Sequence, residues 1–537
     1  MTENYLNILA ETIRTNWDQP ALTDFYLMED GTAQDTSRGN HYTYGEMYSK
    51  LCRVAELLTS LGLKKGDHIA ICGANSAHWV IAYLAIAKMQ GVSVTVMHTL
   101  MPDEIASLVA FSDTKALFTD PDIWAELKSQ PMPQVENIIS LENFESLASR
   151  TSIIASIVPG ASSETSASSP SIVSFPQSNP DSLAMICFTS GTSGSAKGVM
   201  LPYRSISANI YCRYDKLLNE YRREDIASLL PYGHIFALTM DVLRPLCLSM
   251  HIIVIHQPLP SIYITKCYQI IKPTYIVIIP QLLKTIVSNS EAFGNIKEMR
   301  LYIMNALGGK VKEILVGGAR LPYSTDEKLI KAEIPMANGY GATECGPGIC
   351  VAFQDTYKIG TVGKVMPNME ISISPVGEIL VKGENVMLGY YKDPEATAAK
   401  IDSDGWLHTG DKGHLDEDGY LYVEGRLEQD LIVLPNGENI RPDHIESLIN
   451  ALPEVSESIV LARDGKLVAI VVPSSESREI SETSENRASS PSSSLRRKIL
   501  RAVNPQLPLF SQLYDVEVTD TPLQRTEKQT IKRYLYK

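Results

Sequence analysis

The sequence predicts an α/β fold spread over more than one domain, and three observations carry that reading. Strand-like apolar runs alternate with helical runs from Tyr42 onward. Several of those strands stop on glycine-rich or small-residue turns, where ligands bind in open α/β sheets. At 537 residues and 44% hydrophobic content, the chain is longer than one core accommodates.

From the N-terminal side, Tyr42 to Leu61 carries Met47, Leu51, Val54, Leu57 and Leu58 at helical spacing, and Gly62 with the turn at 64–67 ends it. Ile69 to Cys72 reads as a strand, Ala77 to Met89 as a helix and Val92 to Met97 as a strand, an order that implies a crossover between parallel strands. Asp103 to Phe111 and Ala116 to Thr119 continue the alternation. Ser152 to Pro180 is serine-dominated and reads as a loose connection.

Next comes the most informative stretch. Leu183 to Phe188 leads as a buried strand into Thr189-Ser190-Gly191-Thr192-Ser193-Gly194-Ser195-Ala196-Lys197-Gly198, and Val199 to Leu201 leads out. Backbone N–H groups, hydroxyls and one lysine on a glycine-rich loop suit a polyphosphate. It is not a Walker A loop, because Ala196 precedes the lysine and Gly198 follows it. The alternative is a flexible Ser/Gly linker.

Later motifs repeat the pattern. Leu229 to Leu238 holds a lone His234; such a histidine in an apolar run is usually a satisfied core residue, and its place after a strand-ending Leu-Pro favours a pocket wall instead. Runs at His251 to Ile255 and Tyr275 to Ile279 are strand-like, and Ile314 to Val316 ends on Gly317-Gly318-Ala319. Asn338 to Glu344 offers an aromatic, a hydroxyl and a carboxylate, and Glu344 could serve Mg²⁺ as a hard oxygen ligand. Gly377 to Gly383 alternates like a strand, and Asp416 to Gly419 reads as a hairpin turn. Asp411 has the chemistry to hold ribose hydroxyls. Ser474 to Ser494 is rich in Ser and Glu and reads as an exposed or disordered insertion.

Composition narrows the function. The net charge of −14 argues against nucleic acid as a primary partner. The C-terminal end is locally basic, at Arg496, Arg497, Lys498, Arg501 and again from Arg525 to Lys537. That face is either plainly solvated or a site for a phosphorylated co-substrate. Eight scattered cysteines without a C-x-x-C pair fit reduced thiols of a cytoplasmic protein. No signal peptide is visible, and the apolar stretches are too short or interrupted to span a bilayer.

Taken together and in order, Thr189 to Val199, Leu230 to His234, Gly317 to Ala319, Asn338 to Glu344, Gly405 to Asp411, Gly425-Arg426 and Asn436 to Glu446 resemble the AMP-forming acyl-adenylate superfamily. That superfamily includes acyl-CoA synthetases, beetle luciferases and the adenylation domains of non-ribosomal peptide synthetases. Gly383 to Tyr391 and Leu434 to Ile440 look most like its long-chain fatty acid–CoA ligase branch. The resemblance implies a large N-terminal domain of stacked mixed αβα sheets with a small barrel-like β part, over 1–427. It implies a small mobile α+β C-terminal domain over 428–537, with a hinge at Glu428.

The resemblance also implies a reaction. A fatty acid carboxylate and MgATP would give acyl-AMP and pyrophosphate, and CoA would then take the acyl group. Thr189, Ser190, Gly191, Thr192, Ser193, Gly194 and Lys197 would hold the β- and γ-phosphates. Thr343 would contact the α-phosphate and Glu344 the Mg²⁺. Gly317, Gly318, Ala319, Asn338, Gly339, Tyr340 and Gly341 would frame adenine, Asp411 and Arg426 would hold ribose, and His234 with Gly317 would line the acyl pocket. Thr192, Lys197, His234 and Glu344 would act in catalysis. The family's C-terminal lysine has no counterpart, since ungapped alignment of Arg525-Thr526 and Ile531-Lys532-Arg533 puts Thr530 there. Lys528 is the substitute this reading favours; Lys532, or slow adenylation, are the other outcomes. Competing functions are a ligase that loads an acyl carrier protein and a nucleotide-binding regulatory homologue that has lost catalysis.

Overall fold

The computed structural model describes residues 3–28, 39–149, 169–189, 196–256, 261–290, 293–318, 321, 323–427, 432–434, 438–440, 442–474, 491–523 and 536. The chain is a mixed α/β protein of two compact units. Met1–Thr189 and Ala196–Gly425 form the large one, and Arg426–Lys537 belongs to the small one.

Two mixed sheets dominate the large unit. In the eight-stranded sheet, Leu183–Thr189 sits between Lys197–Pro202 and Val92–Thr95, with Gly389–Tyr390 beyond Lys197–Pro202 at the edge. The crossover expected from the sequence is present, since His68–Cys72 and Val92–Thr95 pair in parallel around the helix Ala77–Lys88. The nine-stranded sheet runs Glu313–Val316 between Tyr275–Ile278 and Met336–Gly341, all parallel, before antiparallel Gly348–Ala352. A four-stranded sheet of Met369–Ile373, Glu378–Gly383, Leu407–Leu415 and Leu421–Arg426 completes the unit.

The helix Ala77–Lys88 explains how the sheets come together. Its sequence, Ala-His-Trp-Val-Ile-Ala-Tyr-Leu-Ala-Ile-Ala-Lys, has no polar face, and every residue from Ala77 to Ala87 is buried. A helix apolar all round belongs between layers rather than on a surface. Accordingly it packs on strands of both sheets, and Trp79 meets the Tyr232 ring edge-on at 5.5 Å between centroids.

Two boundaries differ from the sequence expectation. His41–Thr43 is a strand, and the helix begins at Tyr44. Thr43 caps it: its Oγ1 accepts from Glu46 N–H at 3.2 Å while the Glu46 carboxylate accepts from Thr43 N–H at 2.8 Å. The helix Pro491–Val503 likewise takes 491–494 out of the stretch read as an insertion over 474–494. Proline at a first helical position loses no hydrogen bond, so serine-rich sequence behind it still starts a helix. Ser474 is also anchored, its N–H donating to Glu454 O at 2.9 Å.

In the small unit, Val455–Arg463 and Lys466–Pro473 form a hairpin through Asp464-Gly465, both at positive φ, and Asp515–Val518 adds a parallel strand. Its core gathers Ile445, Ile449, Val460, Val471, Ile499 and Val516. Among the described residues no helix is long and apolar enough to cross a membrane. All eight cysteines are free thiols, and seven are buried.

Candidate functional site

The strands Leu183–Thr189 and Lys197–Pro202 are antiparallel neighbours, and Thr189 pairs with Lys197 where the ribbon ends. The glycine-rich loop therefore joins the tip of a rigid two-stranded arm. Ser190, Gly191, Thr192, Ser193 and Gly194 lie outside the described residues, as do Ala319, Glu428 and Lys528. The backbone of Arg426 ends a strand, and its side chain is likewise outside.

Lys197 is placed by what lies under it. Its Nζ stands 4.9 Å from the centre of the Tyr390 ring, a cation–π contact, and the Tyr390 hydroxyl donates to Glu344 Oε1 at 2.7 Å. Tyr390 is buried and held by backbone on both sides. Tyr390 pairs with Val199, Leu388 N–H donates to Met200 O at 2.9 Å, and Tyr391 N–H to Gly198 O at 2.7 Å. Met387 N–H donates to Glu344 O at 2.8 Å. One short segment thus ties the arm that carries Lys197 to the turn that carries Glu344.

That turn follows directly from the strand Met336–Gly341. Tyr340, on the strand, donates its hydroxyl to Asp411 Oδ2 at 2.7 Å. Burial, and then the charge of Asp411, push the Tyr340 phenol far above its ordinary pKa, so it stays a neutral donor. Asp411 is buried in turn, and its N–H donates to Thr409 Oγ1 at 3.0 Å. Asn338 is buried beneath, with Nδ2 donating to Thr361 O at 3.3 Å. Gly341 is constrained by its surroundings, because a Cβ there would stand 2.0 Å from Pro347 O. Thr343 and Glu344 then form a single 3₁₀ turn ending at Cys345.

The two glycines after Val316 differ. Gly317 is buried, and a Cβ on it would come 2.7 Å from the Phe236 ring, so its missing side chain is used by protein packing. Gly318 is exposed at φ +85°, with nothing nearer than Ile279 at 3.9 Å, and leaves the open space a flat ring could use.

His234 closes the turn after Leu230, its N–H donating to Pro231 O at 3.0 Å. Protein surrounds it densely enough for burial to hold its imidazole below the ordinary value, yet the residue remains exposed. The turn before it is pinned from the side of the eight-stranded sheet: Thr95 Oγ1 donates to Gly233 O at 3.1 Å, and Asn75 bonds Leu230 O at 2.8 Å and Tyr232 N–H at 3.0 Å.

The structure therefore brings Lys197, Glu344, Tyr340 and Asp411 into one connected array. Two participants escaped sequence reasoning. Tyr390 sits in the Gly-Tyr-Tyr run, where nothing local separates it from Tyr391. Asn75 looks like any loop asparagine. A single Glu344 carboxylate with Oε2 unbonded among the described residues fits Mg²⁺, which keeps most of its ligands as water and phosphate oxygen.

The family model described as AMP-binding enzyme matches residues 9–391, and that described as AMP-binding enzyme C-terminal domain matches 429–536. The 4-coumarate–CoA ligase of Vanilla planifolia is 26% identical over 446 residues, spanning 78% of this chain and 76% of the relative. The long-chain-fatty-acid–CoA ligase ACSBG2 of Rattus norvegicus is 26% identical over 495 residues, spanning 80% and 72%. The o-succinylbenzoate CoA synthetase MenE of Bacillus subtilis superposes with a TM-score of 0.73 at 23% identity, covering 98% of this chain and 97% of that one.

Replacing Tyr340 with Phe removes the bond to a buried carboxylate and leaves Asp411 short of a donor. Urea unfolding should show a loss of about 1–3 kcal/mol. An unchanged unfolding midpoint and slope would contradict the described pairing.

Proposed function

This chain belongs to the AMP-binding enzyme family, and we propose that it is an AMP-forming acid–thiol ligase that activates a medium- or long-chain fatty acid and passes it to CoA. The observation that carries the reading is the Tyr340–Glu344 segment. One end is hydrogen-bonded to Asp411 and the other, through Tyr390, is linked to Lys197. That places groups suited to a ribose, a base and a charged phosphate chain on a single framework.

In the first step an oxygen of the acid attacks the α-phosphorus of ATP and pyrophosphate leaves. In the second, the CoA thiol attacks the acyl carbon, the acyl carbon–oxygen bond breaks and AMP leaves. The protein's contribution to phosphoryl transfer is position and charge. Lys197 and the loop before it hold the β- and γ-phosphates, and Asp411 accepts from the ribose hydroxyls. Thr343 is next to the α-phosphate, and the neutral Tyr340 ring borders adenine over the open face of Gly318. Glu344 would hold Mg²⁺, which neutralises phosphate charge when bound. His234, kept neutral by burial, lines the recess for the acid, and it can donate to one carboxylate oxygen without forming an ion pair that traps the nucleophile.

The fatty acid reading is supported by the motifs at Gly383 to Tyr391 and by the rat relative. An aryl acid is the second reading, favoured by the Vanilla relative and by the Phe236 ring against Gly317 beside the recess. Pyrophosphate release with MgATP, CoA and a panel of straight-chain acids of graded length plus 4-coumarate decides between them. The expected maximum falls on a medium or long chain. A preference for 4-coumarate over every fatty acid replaces the first reading with the second, and release with no acid overturns both. Holo-carrier protein in place of CoA is expected to accept no acyl group.

Lys528 is proposed to supply the positive charge missing at Thr530. Lys528→Ala should slow acyl-AMP formation roughly 10²–10³-fold. Full retention of acyl-AMP formation rules out that role, and a matching loss in Lys532→Ala alone moves the role to Lys532.

A further inference from the structure

Asp241 is the only acid in the apolar run Leu238 to Leu248 and is completely buried. The segment that carries it, Leu238–Leu243, winds as a π-helix, a wider turn that a sequence adopts where a side chain must be re-aimed. Its Oδ2 accepts from Ser228 Oγ at 2.8 Å, from Leu229 N–H at 3.1 Å and from Leu230 N–H at 3.3 Å. Because the Ser228 proton goes to Asp241, the Tyr232 hydroxyl donates to Ser228 Oγ, at 2.7 Å. Asn75 holds the opposite edge of the same turn. His234 follows two residues after Tyr232, and Phe236 two after that, so the carboxyl governs the backbone from which both emerge.

We propose that Asp241 is a positioning residue for the acid substrate, acting through the Ser228–Tyr232 turn to hold His234 and Phe236 at the wall of the recess. The inference rests on the ligase reading above. It is distinct from the residues that touch nucleotide, since Asp241 faces none of them. Its Oδ1 has no hydrogen-bond partner among the described residues, so the clamp hangs on Oδ2 alone.

The geometry has a consequence for pH. Burial raises the Asp241 carboxyl from its ordinary range to about 7, partly offset by Ser228, Leu230 and Leu229. The other titratable groups around it are the phenols of Tyr232 on the turn, Tyr275 on the neighbouring strand and Tyr268 on the helix Ser261–Ile271. All three are raised by burial and stay neutral. Arg244, one turn further along its own segment, is engaged elsewhere, by Cys212 O at 2.9 Å. Ionisation strengthens each bond to Oδ2, so the clamp tightens as pH rises through about 7.

The test is ATP–pyrophosphate exchange without CoA, with the best acid from the panel, between about pH 6 and 8. Wild-type kcat/KM for the acid should rise with a limb near pH 7. Asp241→Asn, neutral at every pH, should lose the limb. Ser228→Ala, which removes one bond to the carboxylate, should shift the limb to higher pH. Asp241→Ala should lower kcat/KM for the acid by roughly tenfold to a hundredfold while leaving KM for ATP unchanged. A limb retained in Asp241→Asn, or an Asp241→Ala loss shared equally by ATP, overturns the proposal. Should Asp241→Ala fail to fold, the other two variants decide. Wild-type protein that exchanges pyrophosphate with no acid overturns the ligase reading instead.

Discussion

The contact on which the site depends is the Tyr390 side chain, which offers its ring to one charge and its hydroxyl to another. Beneath Lys197 the ring face attracts an ammonium that has no ion-pair partner among the described residues. At the ring's far end the hydroxyl satisfies one oxygen of Glu344. A direct Lys197–Glu344 ion pair would consume both groups. With the tyrosine between them, the ring carries the ammonium and the hydroxyl bonds Glu344 Oε1, which is the spacing the proposed ligase reading uses. The backbone zipping of 387–391 onto Lys197–Pro202 and Glu344 makes that spacing a property of the fold rather than of flexible side chains.

The same logic recurs where the recess meets the core. Buried polar groups must be hydrogen-bonded to be tolerated, and the turn before His234 meets that need from every side. Thr95 on the eight-stranded sheet takes Gly233 O, Asn75 takes Leu230 and Tyr232, and Asp241 takes Leu229 and Leu230. Each bond that removes a burial penalty also removes a degree of freedom from the wall of the recess. On the proposed reading of Asp241, stability and substrate placement draw on the same set of interactions.

Much of this was legible in the residues. Continuous apolar runs located the crossover helix and its flanking strands, since near-complete burial admits few polar side chains. Lys197, Tyr340, Glu344 and Asp411 stood out in the sequence for a different reason: each lies within two residues of a glycine, Lys197 at the start of one strand, Tyr340 near the end of another, Glu344 on the turn after it and Asp411 inside a third. Tyr390 was hidden, since its role comes from pairing with a strand nearly two hundred residues earlier. The close approach of the Phe236 ring to Gly317 is a tertiary contact that no local pattern encodes. Thr43 and Pro491 set helix starts through capping chemistry, which shifts boundaries by a few residues without altering the architecture.

The account stands on the claim that an oxygen of the acid becomes bonded to the α-phosphorus. The direct measurement uses acid labelled with ¹⁸O in both carboxylate oxygens, with MgATP and CoA, and mass spectrometry of the nucleotide and phosphate products. One ¹⁸O in the AMP and none in pyrophosphate is the predicted result. Unlabelled AMP, or label in orthophosphate beside ADP, would mean that the acid is activated at another phosphorus or not at all, and would contradict the account.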